Sequence, residues 1–152
     1  MSYKIQKITS QIIHTLYRNG DTDKTVLASA RSCTSITDRK AQKVWPIMLA
    51  SLDDNMLSQT GKPTYAEIAV YSAIHFYAIY QQGQDACVYE KAGSNANGLQ
   101  LFQALADLRE NVEIKDALDR RVQSILEMTN INSVINELTH VLGILKANGK
   151  LN

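Results

Sequence analysis

The chain has 152 residues, 45% hydrophobic and 20% charged, which excludes a disordered polyelectrolyte and a membrane bundle. One domain of this length can bury a core without disulfides or metals. Its near-neutral total conceals an uneven distribution, since residues 1–43 hold eight bases and three acids, net +5, and residues 44–152 hold eight bases and twelve acids, net −4. Such a basic end suits a protein that offers one surface to a polyanion, and it equally suits an unevenly charged solvated surface.

Helical periodicity runs through almost the whole chain. Ile5, Ile8, Ile12 and Leu16 recur at steps of three and four, predicting a helix over residues 4–18 with one apolar face. Lys4, Lys7, Gln11, His14 and Arg18 form a basic stripe on the opposite face, and Asn19-Gly20 is expected to end the helix. A second helix is expected over residues 23–33, capped by Asp21 or Asp23 and carrying Arg31. Asp38 opens a third, in which Arg39, Lys40 and Lys43 precede the apolar Val44, Trp45, Ile47, Met48, Leu49 and Leu52. Pro46 either kinks this helix or starts a new one in its first turn.

After a loop at residues 58–63, Thr64-Tyr65-Ala66-Glu67 is a capping box. It opens a helix to Gln82 that is apolar nearly all round, as a central helix touched from several sides would be. Residues 83–97 form a long polar loop. Three helices follow, marked by Leu99 to Leu108, by Ile114 to Leu126, and by Val134, Leu138, Val141 and Leu145 over residues 133–147, with Asn148-Gly149 ending the last. The fold class is therefore all-α, a bundle of about seven helices in one domain over residues 1–152. That domain could divide into sub-bundles 1–83 and 98–152 joined by loop 84–97.

No catalytic or metal constellation emerges. His14, His75 and His140 fall on three different helices without metal-ligand spacing, so no metal and no cofactor are expected. His75, between Ile74 and Phe76, is read as an interior histidine satisfied by a tyrosine or a carbonyl. Asp107, Glu110, Glu113, Asp116 and Asp119 straddle a helix end and read as a solvated acidic face. The tyrosines 65, 71, 77 and 80 are spread around one helix and read as packing residues rather than a base-stacking platform. Cys33 and Cys87 have no CxxC partner and read as free thiols. No apolar run approaches the roughly 20 residues of a membrane span, and MSYKIQKITSQII has no signal-peptide core, so a cytoplasmic protein is expected. Arg109, Arg120 and Arg121 differ from the other charges because Arg121 falls near the apolar side of its helix. It must find an acid, with Glu127 or Asp107 as the intramolecular candidates, a carbonyl, or a phosphate, for which a planar guanidinium fork is suited.

The sequence Val26-Leu27-Ala28-Ser29-Ala30-Arg31, then Trp45-Pro46, then Ala73-Ile74-His75-Phe76-Tyr77-Ala78-Ile79-Tyr80-Gln81, then Gly98 with Leu101 and Leu105, then Asp119-Arg120-Arg121-Val122-Gln123-Ser124-Ile125-Leu126 resembles the CasB family. CasB is the small subunit of the type I-E CRISPR Cascade complex. The resemblance covers most of the chain from about residue 25. It implies an all-α, non-catalytic subunit that sits with other Cascade subunits, a second copy of itself, guide RNA and target DNA. Basic residues in such a subunit contact nucleic-acid backbone and hold the displaced strand. The residues that fit this role are Arg31, Lys40, Lys43, Arg109, Arg120 and Arg121, with Lys4, Lys7 and Arg18 as a second-rank stripe. The alternative is a helical protein–protein adaptor whose basic end docks an acidic partner.

Two departures from the family pattern stand out. Arg31 is followed by Ser32 rather than a second base, and Leu138-Thr139-His140 replaces a Leu-Arg pattern, so Ser32 and residues 138–140 are not assigned phosphate contacts. The family also continues with a further C-terminal helix, and a chain that stops at Asn152 is expected to leave apolar surface uncovered on the Val134 to Leu145 helix.

Overall fold

Every described element is helical in the computed structural model, which describes residues 2–18, 22–84, 86–89 and 101–148. Seven α-helices run in the order α1 (Ser2–Tyr17), α2 (Lys24–Ser32), α3 (Trp45–Ser51), α4 (Tyr65–Gln81), α5 (Leu101–Leu108), α6 (Val112–Leu126) and α7 (Ile131–Asn148). Short 3₁₀ helices lie at Arg39–Lys43 and Asp54–Met56. The all-α reading holds, with no strand among the described residues. The chain forms two compact units, Met1–Cys87 and Val88–Asn152.

In the first unit α4 packs against α1, α2 and α3. Ile8, Ile12 and Leu16 of α1 are buried, as their spacing requires, and Ile13 joins them. Val70, Tyr71, Ile74, His75, Tyr77 and Ala78 of α4 are also buried, which accounts for a helix apolar on almost every side. In the second unit α7 packs against both α5 and α6. Its core includes Leu105, Leu108, Leu118, Ile125, Ile135, Val141, Leu142 and Leu145. Val134 and Leu138 are half-buried, so the apolar stripe of α7 is covered over most of its length, contrary to the expectation of an uncovered face. Phe102, Val112 and Leu126 lie outside that core, at 57%, 83% and 72% exposure.

The helix ends follow local chemistry. Asp23 accepts from the Val26 N–H at 3.2 Å and caps α2, while Asp21 lies outside the described residues. Asn19 and Gly20, expected to end α1, also lie outside them, and it is Arg18 that takes a left-handed φ of 50°. Asn148 is the last residue of α7, and Gly149 lies outside the described residues. Pro46 stands in the first turn of α3, where its missing N–H costs nothing, so the new-helix alternative is the one adopted. Thr64 Oγ1 accepts from the Glu67 N–H at 3.1 Å, and Glu67 Oε1 accepts from the Thr64 N–H at 2.8 Å. Thr64 Oγ1 also donates to the Met56 carbonyl at 2.7 Å, so one hydroxyl joins the preceding loop to the start of α4. Thr64→Ala is therefore expected to destabilise the protein by about 1–2 kcal/mol in a denaturant titration, with Thr64→Ser recovering most of the loss.

His75 is 1% exposed, and its Nδ1 stands 2.7 Å from the Ala30 carbonyl, so the interior-histidine reading is correct in its carbonyl form. Burial pushes its pKa below the ordinary 6.5, against the opposing pull of that hydrogen bond. An unfolded chain takes up a proton near pH 6.5 and the folded one does so only at lower pH. Stability should thus be intact above 6.5 and fall as pH drops below it, by at most about 1.4 kcal/mol per pH unit. Denaturant midpoints of wild type and the non-titrating His75→Asn, compared at about pH 7.5 and about pH 5.5, should show the steeper acid loss in wild type.

Candidate functional site

The 3₁₀ geometry of Arg39–Lys43 decides which cations stand together. Side chains three apart eclipse one another in such a helix. Ala41 and Val44 form one row, and both are fully buried. The remaining two rows, Arg39 with Gln42 and Lys40 with Lys43, are exposed. Asp38 caps the helix by accepting from the Lys40 N–H at 2.9 Å, which fixes its starting direction.

Thr25, Ala28, Ser29 and Ser32 of α2 face these rows across an open groove of about 490 Å³. One wall supplies three cations and the Gln42 amide, and the other supplies hydroxyl groups. Among the described residues, none of Arg39, Lys40 and Lys43 has an ion-pair partner. The Ser32 hydroxyl on that wall donates to the Ser29 carbonyl at 3.1 Å, so it is the unpaired positive charge that suits a phosphate group, with its several acceptor oxygens and negative charge.

The other residues singled out in the sequence are placed differently. Arg31 is half-buried on α2, without an ion-pair partner among the described residues, and does not line the groove. Lys24, seven residues earlier, shares its row on the helix. The stripe on α1 is exposed as its spacing requires. Lys4 pairs with Asp53 at 3.5 Å and Arg18 with Asp23 at 3.1 Å, whereas Lys7 has no ion-pair partner among the described residues.

In the second unit Arg109 makes a two-pronged pair with Asp119, Nε to Oδ1 at 2.6 Å and Nη2 to Oδ2 at 3.0 Å. Those hydrogen bonds raise the Arg109 pKa and hold the Asp119 carboxyl below the ordinary carboxylate value. Arg121 pairs with Glu137 of α7 at 2.9 Å, rather than with Glu127 or Asp107. The expected intramolecular partner exists, but it lies 16 residues away on the next helix, where no local spacing announces it. Arg120 Nε donates to the Asp116 carbonyl at 3.3 Å, and Arg120 has no ion-pair partner among the described residues.

Lys40 and Lys43 are thus brought together, and Arg39 joins them. Arg39 could have been found from sequence by taking Pro46 as the start of a separate helix, which leaves residues 39–43 as a short turn of period three. No group of three potential metal ligands occurs among the described residues. No helix among them is long and apolar enough to cross a membrane. A family model described as CRISPR-associated protein Cse2 matches residues 26–152. No curated protein and no solved structure matches the chain.

Proposed function

This chain belongs to the CRISPR-associated Cse2 family, the CasB small subunit of type I-E Cascade, and from that premise we propose that it works without catalysis as a backbone-contacting subunit of the complex. The observation that carries the proposal is the groove in which Arg39, Lys40 and Lys43 stand together with no ion-pair partner among the described residues. Three cations opposite a hydroxyl-lined wall read charge and shape rather than base identity. That division suits an RNA-guided complex, where base pairing reads sequence.

In this reading the groove holds phosphates of target DNA, most usefully the displaced strand, and so stabilises the R-loop. Arg31 and Lys7 add contacts on the first unit, and Arg120 makes a contact of its own on the second. Arg109 and Arg121 take part by exchanging a carboxylate for a phosphate, as Lys4 and Arg18 do on α1. Other Cascade subunits, guide RNA and a second copy of the chain are the partners, in the cytoplasm. The two compact units act as separately built sub-bundles, each with basic residues of its own.

Binding of labelled single-stranded and duplex DNA across a salt series tests the proposal. Sequence-independent binding should weaken linearly on a log–log plot, with a slope of about −0.7 per contact for single strands and about −0.9 for duplex. No binding at the lowest salt by a folded protein would overturn it and favour an adaptor that docks an acidic protein through the same end.

A further inference from the structure

Three ring donors pin the segment between the two walls of the groove. His75 Nδ1 lies 2.7 Å from the Ala30 carbonyl, Tyr71 OH donates to the Cys33 carbonyl at 2.6 Å, and Trp45 Nε1 donates to the Ile36 carbonyl at 3.1 Å. The three carbonyls are three residues apart, spanning the end of α2 and the connection toward Asp38. A carbonyl can only accept, so His75 must carry its proton on Nδ1.

The donors themselves are held firmly. Tyr71 and His75 lie four residues apart on one face of α4, and each is 1% exposed. Trp45 opens α3, directly after the basic 3₁₀ helix. Helix ends leave carbonyls without intrahelical partners, and here buried side chains satisfy two carbonyls at and beside the α2 terminus. Burial pushes the Tyr71 phenol far above its ordinary pKa, so it stays a donor throughout the physiological range.

We propose that Tyr71, His75 and Trp45 are positioning residues that set the separation between the hydroxyl wall of α2 and the cationic wall of Arg39, Lys40 and Lys43. The inference rests on the phosphate-binding reading of that groove. Pinned walls present their cations in a fixed register, so the groove avoids an ordering cost when it meets a polyanion. A released connection leaves every cation in place yet lets them address the strand one at a time.

The experiment measures salt-dependent binding of labelled single-stranded DNA to the full chain carrying Tyr71→Phe, Trp45→Phe, His75→Leu or His75→Asn. Circular dichroism establishes that each variant is folded at the assay temperature. Tyr71→Phe, Trp45→Phe and His75→Leu should each lose on the order of one phosphate contact, about fivefold weaker binding at about 0.1 M salt and a slope shallower by about 0.7. His75→Asn keeps a donor near the Nδ1 position and should retain the wild-type slope. A purely structural role would lower the melting temperature and leave the slope of the folded variants unchanged, which would overturn the inference while the phosphate reading stands. Trp45→Phe, at the far end of the connection, supplies the decisive comparison if a change on α4 prevents folding. Failure of wild type itself to bind would overturn the phosphate reading and this inference with it.

Discussion

Replacing Arg39, Lys40 and Lys43 together by alanine is expected to weaken binding of single-stranded DNA roughly a hundredfold at about 0.1 M salt. Each phosphate contact contributes about 0.7 to the salt exponent for a single strand, which amounts to about fivefold at that concentration, and three contacts multiply. The log–log slope should become shallower by about 2. All three side chains are exposed and have no ion-pair partner among the described residues, so the change should move stability by no more than about 0.5 kcal/mol. A binding loss without a stability loss separates the groove from a folding effect.

The paired arginines provide the contrast. Arg109 and Arg121 must leave Asp119 and Glu137 before they can hold a phosphate, and an exposed pair is worth about 0–1 kcal/mol. Their joint replacement by alanine should therefore reduce binding by less than the roughly 25-fold that two unopposed contacts would give, and so by less than the groove triple. A larger loss from Arg109 and Arg121 than from the groove triple would move the main contact to the second unit.

What could be read from the sequence was local. Most helix periods, the Thr64 capping box, the new-helix alternative at Pro46 and the interior place of His75 depend on neighbours within about four residues, and the folded chain realises them, whereas the helix expected to open at Asp38 is a 3₁₀ turn over residues 39–43. The groove was half legible. Lys40 and Lys43 could be named, but α-helical spacing spreads residues 39–43 around the axis, whereas the 3₁₀ turn stacks Lys40 on Lys43 and places Arg39 in the adjoining row. The hydroxyl wall was not legible, because Thr25, Ser29 and Ser32 gain meaning only once α2 packs beside that turn. The partner of Arg121 was hidden for a related reason, since the contact with Glu137 depends on α6 packing against α7.

Ile74→Ala is expected to destabilise the protein by about 2–5 kcal/mol. Ile74 has no exposed surface and sits midway along α4, the helix against which α1, α2 and α3 all pack, so little can move inward to fill the space left by its side chain. A loss of that size is a large part of the 5–15 kcal/mol that usually holds a domain folded. Leu49→Ala is the matching control, because Leu49 on α3 is 49% exposed and its truncation should cost well under 1 kcal/mol. Leu118, 1% exposed on α6, belongs to the core of the other unit, and Leu118→Ala should also cost about 2–5 kcal/mol. Calorimetry of the two core variants then reads the architecture as well as the stability. If each sub-bundle melts around its own core, Ile74→Ala lowers one transition and Leu118→Ala the other. If both variants lower a single shared transition, the chain folds as one cooperative body, and the positioning of Arg39, Lys40 and Lys43 depends on both cores.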